Sequence, residues 1–266
     1  MKKILLWVLA LAITLAAAFF QRMTGPSYPL RGKAVVDGRV VAYRLDRSAE
    51  TSRDPVIALT VPDKEISGYV EWKRYKSDDL MYASAMERRG DRLVFALPRQ
   101  PMAGKLQYRI LLRSSGTFVS LTGDKPVVVR FRGPVPAWLL IPHILVMFLA
   151  MLFSIRAGLA ALGGREKTRA LVLWTLAFLF LGGFVLGPLV QKLAFGVLWS
   201  GFPLGFDLTD NKTLIAFAVW VVAAVAGRKG RKARGWVLAA AVVTLVIYLI
   251  PHSLLGSELK YTRTPR

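Results

Sequence analysis

Apolar residues fill the second half of the chain in runs too long and too poor in charge for a water-soluble fold. Residues 137–155 are interrupted only by Pro142 and His143, residues 170–190 carry no charge, and 214–226 and 236–255 follow. A helix rises about 1.5 Å per residue, so roughly 20 apolar residues cross the hydrocarbon layer. The first two runs meet that length. The third is short and must borrow Lys212 and Thr213, which gives an expected helix at 212–227. The fourth reaches the required length by running past Pro251. Residues 193–206 are apolar but broken by Gly196, Gly201, Pro203 and Gly205, so an interfacial or re-entrant segment is expected there. At the other end, Lys2 and Lys3 precede an apolar stretch at 4–20. Residues 1–20 read as a transmembrane signal anchor. A cleaved signal peptide, with Ala16, Ala17 and Ala18 at its cleavage site, is the alternative.

Between these parts the apolar period shortens to alternation. Strands are expected at 39–45, 56–61, 68–75, 80–86, 92–97, 106–113, 117–121 and 127–131. They recur about every ten residues, with turn signals such as Gly90-Asp91, Ala103-Gly104, Ser115-Gly116 and Gly123-Asp124 between them. Seven or eight short strands in about 100 residues suggest an antiparallel sandwich. Trp72 falls within an early central strand, and the stretch from Leu97-Pro98 through Gly104 to Tyr108 resembles the corner of immunoglobulin and fibronectin type III domains. That resemblance implies that Tyr108 bonds back to the loop before its strand. The absence of Cys favours the fibronectin-like branch. Such a fold carries no particular chemistry, and its usual use is contact.

The fold class expected is thus a membrane α-helical bundle of four or five transmembrane helices with an inserted extracytoplasmic all-β immunoglobulin/fibronectin-III-like sandwich. Its parts are the anchor at 1–20, the β domain at 21–136, a membrane domain at 137–255 and a tail at 256–266. The membrane helices are placed at about 137–155, 170–190, 212–227 and 236–255.

Composition changes the picture in two places. With no Cys in 266 residues, thiolate metal sites, Fe–S clusters, c-type haem, thiol nucleophiles and disulfides are excluded. The net charge of +21 suggests nucleic acid at first sight. About half of that excess, however, lies in short connectors of the helices, including Arg228, Lys229, Arg231, Lys232 and Arg234, where it is a topology signal against anionic lipid. No nucleic-acid partner is expected. Basic connectors belong on the cytoplasmic side. That places the protein in the cell (inner) membrane, with residues 21–136 and the C-terminus extracytoplasmic. Trp7, Trp174 and Trp236 then lie near the inner boundary, and Trp138 and Trp199 near the outer one.

Candidate chemistry gathers at the outer face. His143 and His252 occur in the same four-residue word, Leu-Ile-Pro-His. Ionisable groups at membrane depth are functional candidates. The pair would serve as ligands of a b-type haem or as proton acceptors at a quinone site. The competing reading is structural: the prolines free backbone carbonyls that a neighbouring polar group satisfies. His143, Met147 and Met151 share a helix face that would suit Cu(I), but Met is also ordinary filler in apolar bundles. Asp207, Asp210, Lys212 and Lys192 flank the broken apolar segment and, with His143, His252 and Glu258, form a candidate outer-face polar cluster. Asp210 or Asn211 is expected as the N-cap of the following helix. Gly182, Gly183 and Gly187 would let helices approach closely. No phosphate loop, nucleophile elbow or metal motif is present.

The reading that follows is an integral membrane subunit or scaffold, with no covalent chemistry of its own, docking membrane or periplasmic proteins through its exported β-sandwich and outer-face loops. The basic inner loop would meet anionic lipid. The alternative is the membrane subunit of a respiratory or electron-transfer complex holding a quinone or b-type haem near the outer leaflet. A small transporter fits less well, since no span carries a charge at mid-membrane.

Overall fold

The computed structural model describes residues 2–164, 167–227, 233–251 and positions 256, 258, 259 and 261. The chain divides into two compact units. One comprises Met1–Pro26 and Val135–Ser257, the other Ser27–Pro134 and Glu258–Arg266.

The first unit is helical. Its elements are α1 (Lys2–Thr24), α2 (Ala137–Gly163), α3 (Arg169–Phe180), a π-helical turn at Leu181–Leu186, α4 (Gly187–Phe195), α5 (Leu208–Ala226) and α6 (Ala233–Leu249). Among the described residues, four helical runs are long and apolar enough to cross a membrane: Lys3–Thr24, Ala137–Gly163, Arg169–Phe195 and Leu208–Ala226. By length and composition this is a membrane protein. The 17 residues of α6 reach only about 26 Å.

The helix limits depart from expectation for identifiable reasons. The run expected to stop at residue 155 continues to Gly163, because Ala157-Gly158-Leu159-Ala160-Ala161 is a small-residue surface that packs. A Cβ on Gly158 would stand 2.7 Å from the Ala241 Cβ. The helix ends at Gly164, whose φ of 68° forms a left-handed cap. Arg156, expected in an inner loop, is instead buried at 1% exposure, with its guanidinium 5.3 Å from the Trp7 ring. The run expected at 170–190 continues to Phe195 through the π turn and stops at Gly196, where φ is 85°. Residues 193–195 of the expected interfacial segment are therefore helix. The remainder is loop, exposing Phe202, Leu204 and Phe206. The last helix ends at Leu249 instead of passing Pro251, since the residue before a proline is driven out of the helical region.

Small residues let the helices close. A Cβ on Gly182 would meet the Met147 Sδ at 2.6 Å, and one on Gly183 the Thr213 Cγ2 at 2.4 Å. Ala150, Ala157, Ala216, Ala223 and Ala240 fill the same core around fully buried Trp220, whose indole N–H donates to the Thr244 hydroxyl at 2.8 Å. α1 packs through Ala10 and Ala17 against Met151 and Ile155.

The second unit is β. Its strands are β1 (Leu30–Val36), β2 (Arg39–Leu45), β3 (Ser48–Glu50), β4 (Val56–Thr60), β5 (Ser67–Arg74), β6 (Tyr82–Ala85), β7 (Glu87–Arg89), β8 (Arg92–Ala96), β9 (Lys105–Ser114), β10 (Thr117–Ser120) and β11 (Val127–Arg132). Each expected strand is present within about two residues at either end. β1, β3 and β7 were not expected. The strands form a β1-β2 hairpin, a β4-β8-β7 sheet and a larger sheet ordered β3-β11-β9-β5-β6, with β10 also paired to β9. All pairings are antiparallel except β3 with β11. Along β9 the residues alternate strictly, Leu106, Tyr108, Ile110 and Leu112 being buried, which is the period-two pattern read from the sequence. Val36, Leu45, Leu59, Val70, Leu93 and Phe131 join them, so every sheet contributes to one apolar core.

Candidate functional site

The polar residues singled out in the sequence occupy separate settings. In the helical unit, Asp207 and not Asp210 is the N-cap of α5, its Oδ1 accepting the Thr209 N–H at 2.8 Å. Capping by the earlier acid starts the helix four residues before the expected position. Asp210, one turn into α5, turns its buried carboxylate on the preceding loop. Oδ2 accepts from the backbone N–H of Ser200 at 2.6 Å and of Gly201 at 3.0 Å, and from Gln191 Nε2 at 3.0 Å. Asn211 Oδ1 accepts the Phe202 N–H at 2.7 Å. One carboxylate and one amide thus fold the loop between α4 and α5 onto the start of α5. Gly201 allows that closeness, since a Cβ there would lie 2.6 Å from the Asp210 Cβ.

Lys212 is buried, and its ammonium donates to the carbonyls of Ile250 at 2.9 Å and Pro251 at 3.4 Å. Gln21 Nε2 donates to Tyr248 O at 2.6 Å. Side chains from α1 and α5 thereby satisfy carbonyls at the C-terminal end of α6, where a cation also suits the helix dipole. Lys192 is exposed on α4. His143 sits on α2 with Nδ1 3.1 Å from Gly182 O, in the π turn. A carbonyl only accepts, so Nδ1 carries the proton and Nε2 is left as an acceptor. The same carbonyl takes the Gly187 N–H. His252 lies outside the described residues. So do the basic-loop residues Arg228, Lys229, Arg231 and Lys232. Arg234 is described: its guanidinium donates to the Gly164 carbonyl at the end of α2.

Glu258 belongs to the β unit, where Oε1 accepts from Lys105 Nζ at 2.6 Å and Oε2 from Lys76 Nζ at 2.9 Å. Partial burial works against the charge, but the two ammonium groups hold its carboxyl below the usual range. Tyr108 is buried on β9, and burial together with the Asp46 carboxylate pushes its phenol above the usual range. Its hydroxyl makes no hydrogen bond to any described residue, so the bond back to the loop that the corner resemblance implied is not formed. A tyrosine from the C-terminal tail does that work. The Tyr261 hydroxyl accepts the Lys105 N–H and reaches the carbonyls of Lys105 and the Gln100 side chain. Trp72 lies half-buried on β5, stacked on Tyr82 with ring centroids 4.7 Å apart.

Gln21, Gln191, Ser200 and Tyr261 were not picked out from the sequence. Gln21 and Gln191 had a signal, since each is a lone amide in or beside an apolar run. Tyr261, five residues from the end of a basic tail, had none. Among the described residues, no three His, Asp or Glu side chains converge as a metal site. Comparisons of the chain with protein-family models, with curated proteins and with solved structures return no match.

Proposed function

We propose that the chain is an integral membrane subunit or scaffold whose β unit docks a partner protein by strand addition at β6. The observation that carries this reading is an apolar open edge. Leu80, Met81 and Tyr82 are exposed in succession, Leu80 at 85%, beside a strand paired on one side only among the described residues. Exposed apolar edges are aggregation hazards unless a partner covers them, and an extended segment adding to such an edge is a common recognition mode. Residues that could have argued for chemistry are occupied in holding the fold: Asp210 takes three N–H donors and Lys212 caps a helix.

The β unit itself reads as an immunoglobulin/fibronectin-III-like sandwich. The order β11-β9-β5-β6 follows that of strands G, F, C and C′, and β4-β8-β7 that of B, E and D, with Trp72 on the C position and Tyr108 on the F position. In this reading α1 is retained as an anchor, supported by its Gln21 bond to α6. The basic connectors lie in the cytoplasm against anionic lipid, and the β unit lies outside the inner membrane. The test is co-purification of the tagged full chain in mild detergent, with Leu80→Asp and Tyr82→Asp alongside. A stoichiometric partner lost in both variants is expected. A protein that purifies alone, or a partner indifferent to both changes, would overturn the proposal.

A second reading rests on His143. A ring whose Nδ1–H donates to a carbonyl presents Nε2 as a haem ligand or quinone hydrogen-bond acceptor would. A Soret band that shifts on reduction and is lost in His143→Ala would establish it, and a colourless, quinone-free preparation would remove it.

A further inference from the structure

Residues 193–206, the end of α4 and most of the loop that follows, carry no charged side chain. In hydrocarbon, irregular backbone survives only where its polar groups find partners inside the protein. This loop supplies them. The N–H groups of Ser200 and Gly201 go to the Asp210 carboxylate and that of Phe202 to Asn211 Oδ1. Leu204 and Gly205 both donate to Gly201 O at 2.9 Å, and Asp207 donates to Ser200 O at 3.0 Å. The loop also turns back along the helices. The Trp199 ring stacks on Phe184 with centroids 5.6 Å apart, and Phe184 meets Phe217 edge-on at 5.1 Å. Phe184 lies in the π turn, inside the Arg169–Phe195 run, and Phe217 lies more than two turns into α5, about 14 Å along its axis. A loop indole therefore packs well inside the helix ends. The other side of the loop is open. Phe202, Leu204 and Phe206 are exposed, Phe206 at 91%. Val197 and Leu198 are exposed too, following directly on Leu189 and Leu193, exposed one turn apart on α4.

We infer that residues 197–206 form a re-entrant loop whose Phe202, Leu204 and Phe206 side chains bind the acyl chains of the leaflet at that end of the helices. Lipid is the occupant because the loop joins two runs that cross the membrane and its exposed apolar surface continues theirs. The same uncharged patch facing water would be an aggregation hazard. Lys192, exposed in the last turn of α4, stands where the charge-free stretch begins, and its long stem lets the ammonium reach headgroup phosphates. Neither the orientation of the chain nor the β6 edge enters this assignment.

The chain has no Cys, so the test places one nitroxide-labelled cysteine at a time on the full chain in nanodiscs. Leu204→Cys and Phe206→Cys probe the loop, Ile215→Cys an exposed position on the span α5, and Ser52→Cys the surface of the β unit. All four positions are exposed, so the substitutions leave the core intact. Collisions with oxygen, which hydrocarbon dissolves, are compared with collisions with a polar nickel chelate, which it excludes. The oxygen-to-nickel ratio at both loop positions should match that at Ile215→Cys and exceed that at Ser52→Cys ~10-fold, because a polar solute is costly to bring into hydrocarbon. A ratio at either loop position like that at Ser52→Cys would put the loop in water, and shielding from both reagents would put a protein surface over it. Either result overturns the assignment. The low ratio at Ile215→Cys as well would instead overturn the crossing of α5, on which the placement of the loop rests.

Discussion

The Tyr261 hydroxyl accepts the Lys105 N–H at 2.9 Å, and its ring lies 4.9 Å beneath the Arg74 guanidinium. Leu259 N–H donates to Ala103 O at 3.2 Å in the same stretch. Gly104 must be glycine here, since a Cβ would stand 2.9 Å from that hydroxyl. The chain thus leaves the β unit at Pro134 and has rejoined it at Glu258. Any helices that cross a membrane in between must therefore do so an even number of times.

That parity makes a topology prediction, in which the short α6 counts as a span. The chain has no Cys, so single cysteines can be placed without background. Under the proposed orientation, a membrane-impermeant maleimide on intact cells labels Ser52→Cys and Arg266→Cys alike and spares Lys229→Cys. Opposite labelling at 52 and 266 would contradict the parity.

The loop between α4 and α5 should depend on Asp210 far more than on Asp207. Asp210→Ala takes the shared acceptor from the buried Gly201 N–H, the half-buried Ser200 N–H and an amide, which should cost about 3 kcal/mol. Asp207→Ala removes one cap bond, about 1 kcal/mol. Thermal unfolding of both variants in one detergent measures the order, and equal losses would contradict the assignment.

Lys212→Met keeps the length of the side chain and removes its donors. The carbonyls of Ile250 and Pro251 then lose their partner, and the end of α6 should fray. Hydrogen exchange of peptides from 245–251 should rise several-fold, and further in combination with Gln21→Ala. Unchanged exchange in the double variant would show that these bonds do not hold the helix end.

Acid should loosen the turn between β5 and β6. Asp79 takes two hydrogen bonds from the Arg74 guanidinium, at 2.5 and 2.6 Å, and these lower its pKa from 3.8 to about 2. The folded value lies below the unfolded one. The bond's contribution is therefore complete above about pH 4, shrinks between 4 and 2, and is gone below 2. For a pair partly open to solvent this is worth about 1 kcal/mol. The melting temperatures of the parent chain and Asp79→Asn should differ at pH 6 and converge near pH 2. A gap that stays constant would place the effect elsewhere.

Strand and helix identities were legible because burial has a period. Alternation marked β9, and unbroken apolar runs marked the long helices. β1 was missed although a signal for it was there: Asp37-Gly38, a two-residue turn with positive φ at both positions. β3 and β7 carry three residues each, too few to show a period. The helix ends were harder to read, because they rest on which of several polar residues caps. Asp207, Asp210 and Asn211 are all good caps in isolation.

By itself, the sequence determined that hydrocarbon-length helices accompany an alternating β region, because hydropathy and its period are local properties of the chain. Only the tertiary structure decided that Arg156 is buried, that Lys212 ends α6, that Asp210 ties down a loop and that Tyr261 supplies the corner bond expected of Tyr108. Each of those outcomes depends on a backbone group or ring brought in from another part of the chain, from the neighbouring loop for Asp210 and from far along the sequence for the others. A hydrogen-bonding side chain carries no mark in the sequence of the distant partner it will meet.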